Sequence, residues 1–297
     1  MPYVLNEIAS QPQCWRQAVD TVAGSEWSLP RPGERVAVIG CGTSWFVAMA
    51  YASLREAAGQ GWTDAFTASE LPLKRGYDRV VGISRSGTTT EVAAAFSQLP
   101  AAMPKTAILG VTDTPIAAVA NNVIDLSFAD EKSVVQTRFA TSVLALLRAS
   151  LGENLVQAIA DCEQAVQLEI PQRWVSSEQV SFIGKGWTIG LAQEAALKNR
   201  EAAQSWAEAY PAMDYRHGPI AIAEPGRLVW AFGEIPNGLA DQVAETGAEL
   251  IHSELDPMAD LVYAQRLAIA KALAKGLDPD QPRHLTRSVI LEGATAL

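Results

Sequence analysis

Short unbroken apolar runs alternate with helix-period stretches along most of the chain. Residues 35–39 (RVAVI), 80–83 (VVGI), 106–111 (TAILGV) and 123–126 (VIDL) read as strands, the second an apolar run suited to a buried strand. Helical patterns fill the intervals: one or two amphipathic helices over 3–24, then 45–58, 91–96, a short one from Pro115, a long one through Leu147, and another from Glu153 to Leu168 closed by Pro171. The pattern then restarts, with strands at 180–183, 227–232 and 249–252 and helices at 188–203, 239–246 and 258–275. Alternating strands and helices predict parallel sheets with right-handed crossovers. The fold class expected is α/β, two tandem copies of one doubly wound unit. The boundaries follow: a helical segment 1–34, a first lobe 35–150, a helical connector 151–172, a second lobe 173–285, and a tail 286–297, reached through a Pro-punctuated stretch of the sort that can fold over a site as a lid.

Two strand-to-helix loops in the first copy carry chemistry. Residues 84–90 (SRSGTTT) are too rich in hydroxyls to be core. A strand entering a helix this way leaves the first backbone N–H groups pointing outward, and these donors and the helix dipole suit a dianionic phosphate. Gly87 permits close backbone approach, and Arg85 adds a full charge if it turns inward. Ser and Thr also serve as ordinary N-caps, but two Ser, three Thr and a Gly in seven residues exceed that need. The loop Gly40-Cys41-Gly42-Thr43-Ser44 is of the same kind. Adjacent strand ends of one sheet converge on one ligand at a switch point. Cys41 has no general base near it in sequence and reads as a packed residue. The second copy has Gly184-Lys185-Gly186-Trp187 and, after its next strand, Gly233 to Gly238, neither rich in hydroxyls.

Composition narrows the function classes. Of the 297 residues, 48% are hydrophobic and 19% charged, as in a globular protein with room for a large core. A net charge of −10 without a basic patch argues against nucleic-acid binding, so an anionic ligand must be held by local donors. The N-terminal residues lack the pattern of a signal peptide, and no apolar run reaches membrane-span length. Three cysteines without metal spacing suit a reducing cytoplasm.

The second copy supplies candidate acid–base groups. Glu194, Lys198 and Glu201 share one helix at i,i+4 and i,i+3 spacing, which by itself is more often a solvated charged stripe. Downstream, His217 precedes a Gly-Pro turn, a setting for a ligand-facing proton shuttle. His252 and His284 show no spacing with it that suggests a metal.

Taken together, GCGTS, ISRSGTT, EAALKNREAAQSWAEAY, RHGP and DPDQPRHLTRSVILE resemble the two-lobed SIS (sugar isomerase) family. That family includes the isomerase half of glucosamine-6-phosphate synthase and amino-sugar-phosphate deaminases and deglycases. The resemblance covers nearly the whole chain. It implies phosphate contacts from Thr43, Ser44, Ser84, Ser86 and Thr89, with Arg85 where the synthase has Gln. Gly42, Gly87 and Lys198 are expected as further substrate-binding positions. Glu201 matches the base that moves a proton between sugar C1 and C2, and His217 the residue that aids ring opening in the neighbouring subunit, so a homodimer is implied. Glu131 matches a carboxylate near the sugar.

Two departures set expectations. The chain begins MPYVL, where the synthase carries a glutaminase domain, so glutamine-driven synthesis is not expected. Arg287 stands where the synthase has the lysine that forms an imine with the ketose, and a guanidinium, protonated at pH 7, does not form one. The expected activity is aldose–ketose isomerisation coupled to deamination or deglycation of a 6-phosphorylated amino sugar, without metal or organic cofactor. Plain phosphosugar isomerisation is the alternative within the enzymes. A non-catalytic phosphosugar sensor is the alternative outside them, although the residues before the first strand are too few for a DNA-binding helix-turn-helix.

Overall fold

The computed structural model describes residues 1–291. Along the chain come α1 (Tyr3–Ala9), α2 (Gln11–Thr21), β1 (Val36–Gly40), α3 (Thr43–Ala57), β2 (Thr63–Thr67), β3 (Arg79–Ser84), α4 (Thr90–Gln98), β4 (Lys105–Leu109), α5 (Pro115–Val119) and β5 (Asn122–Asp125). They continue with α6 (Arg138–Ser150), α7 (Val156–Ala165), α8 (Gln172–Val175), β6 (Gln179–Gly184), α9 (Thr188–Ala203), β7 (Trp206–Pro211), β8 (Leu228–Phe232), α10 (Leu239–Thr246), β9 (Glu249–His252) and α11 (Pro257–Ala274). The chain divides into two interleaved units. The first holds Gln13–Lys132, Arg138–Leu155 and the tail from Thr286; the second holds Met1–Pro12, Ser133–Thr137 and Val156–Leu285. The final residues of the expected tail, 292–297, lie outside the described residues.

The first unit contains a parallel sheet of order β2-β1-β3-β4-β5. Its inner strands β1, β3 and β4 are buried throughout, which explains their continuous apolar runs. Ile39, Val80, Val92, Phe96, Leu109 and Ile116 lie in one core cluster between the sheet and its helices. The order reverses between β1 and β3, so the loops after those two strands open side by side at a topological switch point.

The second unit repeats this arrangement with a parallel sheet of order β7-β6-β8-β9. Its core draws on Ile183, Tyr215, Val229, Leu239 and Val243. The strand-end glycines correspond: a Cβ at Gly40 would stand 2.7 Å from the backbone of Ser44, and one at Gly184 would collide with the backbone of Thr188. In both copies the helix doubles back directly against the strand it follows.

The sequence pattern missed β2 and β7, one edge strand of each sheet, while it found the opposite edges β5 and β9. Residues 63–67 read TDAFT and residues 206–211 read WAEAYP, both mostly half-exposed and without an apolar run. Their strand character comes from pairing with β1 and β6, not from their own pattern. Among the described residues no helix is long and apolar enough to cross a membrane.

Candidate functional site

At the switch point of the first unit, the loop after β3 folds on its own hydroxyls. Ser84 Oγ accepts the Gly87 N–H at 3.1 Å and lies 3.2 Å from Thr89 Oγ1. Ser86 Oγ accepts the Thr88 N–H at 3.2 Å. Gly87 turns the chain at φ 67°, and a Cβ there would collide with the Thr114 side chain, so the turn excludes larger residues. On the neighbouring strand Gly42 also has a positive φ, 53°, and Thr43 and Ser44 open α3 as buried side chains. The structure therefore places Thr43, Ser44, Ser84, Ser86 and Thr89 at the ends of adjacent strands.

The tail lies on this loop. Ser288 Oγ is 3.1 Å from Ser86 Oγ and 2.9 Å from Thr88 Oγ1. Val289 accepts the Thr90 N–H at the start of α4, and the Leu291 N–H donates to Thr90 Oγ1 at 2.9 Å. A cavity of about 500 Å3 is lined by Ser86, Thr88, Thr114, Arg287 and Ser288 among others. Thr88 and Ser288 were not singled out in the sequence. The only signal was Ser288 following Arg287 in a motif whose path over the loop is a tertiary fact.

Arg85 turns inward and is almost fully buried. Its Nη1 is 3.6 Å from Glu131 Oε2, itself buried, and its Nη2 donates to the Arg287 carbonyl at 3.2 Å. Glu131 Oε1 accepts the Arg138 N–H at the start of α6, a favourable place for a carboxylate beside the helix dipole. The Arg287 side chain pairs with Asp130, whose carbonyl accepts from Arg138. Arg85 and Arg287 thus reach neighbouring carboxylates and clamp the tail. Asp130 was missed because it is one of several ordinary acidic residues in its segment. Cys41 carries no nucleophilic thiolate: burial, and then the charge of Glu91, push its thiol up to about 11.

In the second unit the helix carboxylates are not a solvated stripe. Lys198 Nζ is 3.6 Å from Glu194 Oε1 and hydrogen-bonds Glu201 Oε2, and Lys198 and Glu194 are only 1% and 2% exposed. Glu201 is 20% exposed and is the end of the triad that reaches a surface cavity. That cavity, of about 410 Å3, is also lined by Arg200, Arg283 and His284. His217 closes a single helical turn at 214–217 and is exposed on its own chain. The switch point of this unit carries instead an exposed ion pair, Lys185 to Glu234 at 2.9 Å. Among the described residues no group of three or more His, Cys, Asp or Glu side chains could hold a metal ion.

Fold and loops define the class: a tandem α/β protein with hydroxyl-rich loops at the switch point of one copy and a largely buried Glu–Lys–Glu cluster on a helix of the other. The architecture is that of solved sugar-phosphate enzymes. Over 97% of this chain and 99% of the other, it matches a glucosamine-6-phosphate deaminase from Thermotoga maritima, with a TM-score of 0.79 and 23% identity. Over 94% and 98% it matches the C-terminal domain of glucosamine-fructose-6-phosphate aminotransferase from Francisella tularensis, with a TM-score of 0.81 and 20% identity. In sequence the chain is similar to a glutamine–fructose-6-phosphate aminotransferase of Gloeobacter violaceus, 27% identical over 98% of this chain. It spans 59% of that relative's length. No family model matches the chain.

Proposed function

We propose that the protein is a phosphosugar-processing enzyme that couples aldose–ketose isomerisation to deamination or deglycation of a 6-phosphorylated amino sugar. The observation that carries this reading is the burial of Glu194 and Lys198 beside Glu201, the one member of the cluster that reaches a cavity. Burying charges is costly, and a triad that keeps one carboxylate accessible is suited to proton transfer at carbon. In this reading the loop hydroxyls of Ser84, Ser86 and Thr89, with those of Thr43 and Ser44, hold the 6-phosphate. Glu201 moves the proton between C1 and C2, with Lys198 holding its carboxylate in place. His217, exposed on its own chain, assists ring opening in a neighbouring copy, so the working form is a homodimer. Arg85 and Arg287 fix the tail, and Arg287 supplies a hydrogen-bond donor in place of an imine-forming amine.

The test is a panel of sugar 6-phosphates, amino-sugar 6-phosphates and amine conjugates, read for released amine and for ketose or aldose formation. Amine release together with an isomerised sugar phosphate is the expected result. Isomerisation without loss of nitrogen from any amino sugar would retire the deamination and deglycation half. No turnover of any phosphorylated sugar would retire the whole reading.

A further inference from the structure

His217 stands on a turn with little support of its own. Residues 214–217 make a single short turn, and the chain leaves it at once through Gly218 and Pro219. Among the described residues none hydrogen-bonds the imidazole or pairs with it, so its direction is inherited from the residues beside it. A turn of this tight 3-10 kind sets consecutive side chains about 120° apart. Tyr215 points inward, fully buried in the core cluster with Ile183, Val229 and Leu239. Arg216 points sideways. Its Nε donates to Gln242 Oε1 on α10 at 2.7 Å, its Nη2 donates to the Asn237 carbonyl ahead of that helix, and its Nη1 lies 3.4 Å from Met213 Sδ. His217 is left facing outward.

The two neighbours serve different ends. Tyr215 is part of the core, so its loss would be felt through folding. Arg216 is half-buried beside an open cavity of about 350 Å3, lined also by Gln242 and Thr246, and cutting it back opens no void in the core. Both of its oxygen acceptors are neutral, and among the described residues it makes no ion pair. What it supplies is a planar fork that joins the turn to α10, which a lysine of the same charge does not reproduce.

Resting on the function proposed above, we infer that Arg216 is a positioning residue for His217: by tying the turn to Gln242 and Asn237, it fixes where the imidazole meets a cyclic sugar. Ring opening breaks the bond between the anomeric carbon and the ring oxygen. The ring oxygen gains a proton, and the anomeric hydroxyl loses one as it becomes the carbonyl. No proton is consumed overall, so an imidazole held within hydrogen-bond reach can relay it. Misplacing such a group by about 1 Å costs up to about 10²-fold in rate. Arg216 itself touches no reacting atom and acts only through His217.

The experiment pairs fructose 6-phosphate, which is mostly cyclic, with its 5-deoxy analogue, which lacks the ring-forming hydroxyl and stays open. The readout is exchange of the C1 hydrogens with solvent deuterium, the proton transfer assigned to Glu201, with Tm measured for every variant. His217→Ala should slow exchange in fructose 6-phosphate and spare the analogue. Arg216→Gln should reproduce that selectivity, with about a tenfold loss on the cyclic sugar. Arg216→Lys should do the same, and Gln242→Ala should give a smaller loss of the same kind. In a His217→Ala background, Arg216→Gln should cost nothing further. An equal loss on both ligands in Arg216→Gln, or a loss undiminished in the His217→Ala background, would make Arg216 a brace of the fold and overturn the inference. Full activity in Arg216→Lys would overturn the fork as the cause. Unchanged exchange in Arg216→Gln beside a selective His217→Ala would overturn the inference and leave ring opening by His217 standing. A loss without selectivity in His217→Ala would remove that role and this inference with it. No exchange of either ligand by the wild-type chain would remove the parent reading as well.

Discussion

Arg85 donates to the main-chain carbonyl of Arg287 at 3.2 Å, across 202 positions of the chain. The same guanidinium stands 3.6 Å from the buried carboxylate of Glu131, so one side chain both compensates a buried charge and holds the tail on the loop. Replacing one partner of such a pair costs more than replacing both, because the survivor keeps its desolvation penalty. Arg85→Met should therefore lower unfolding stability by about 3 kcal/mol or more in urea titrations. Arg85→Met with Glu131→Gln should recover most of that loss. Additive losses in the double variant would show that the two groups are not coupled.

Removal of a loop hydroxyl should be felt by the phosphate alone. Ser86→Ala is expected to weaken binding of a 6-phosphorylated sugar by about 1–2 kcal/mol, the scale of a hydrogen bond to a charged group. Calorimetry with a phosphorylated sugar and its unphosphorylated form checks this, and equal losses for both would take Ser86 out of the phosphate site.

Glu201→Gln preserves shape and removes the carboxylate proposed as the base. Turnover should fall about 10²–10⁴-fold with little change in substrate affinity. His217→Ala should slow turnover less with a substrate already in its open-chain form. Near-normal turnover in Glu201→Gln would leave the Lys198–Glu201 pair as a structural feature only.

No covalent sugar adduct is expected on the tail. Arg287 pairs with Asp130, and a guanidinium does not condense with a carbonyl as a free amine does. Incubation with a ketose 6-phosphate and borohydride should leave the intact mass unchanged. An adduct mapped to Lys198 would assign that amine a covalent role.

Asp260 makes stability depend on pH. Burial pushes its carboxyl from 3.8 up to about 7, against the opposing effect of the hydrogen bond from the Trp230 indole. The folded chain keeps a proton that the unfolded chain releases above about pH 4. The stability linked to this group is thus fully present below about pH 4 and lost as pH rises through about 7. Asp260→Asn, whose amide oxygen can still accept from Trp230, should raise the Tm at pH 8 and leave it nearly unchanged at pH 4. A Tm difference independent of pH would rule out titration of Asp260.

Much of the architecture was legible in the chain alone. The inner strands 36–40, 79–84, 105–109 and 179–184 are buried on both faces, and burial of that kind favours the short, mostly apolar runs by which they were recognised. The hydroxyl-rich loop after β3 was equally visible, because a concentration of Ser and Thr at a strand–helix junction is a local property. Tertiary structure decided what depends on distant partners. The strands TDAFT and WAEAYP, one edge of each sheet, have no pattern of their own and exist through pairing with β1 and β6. The charges at 194, 198 and 201 fit a solvated stripe as well as a buried triad, since i,i+3 and i,i+4 spacing is the same in either case. Only the packing around α9 buries Lys198 and Glu194 while leaving Glu201 access to a cavity. The tail is the clearest case: Ser288 reaches Ser86, and Arg287 reaches Asp130, through long-range closure that local sequence does not encode.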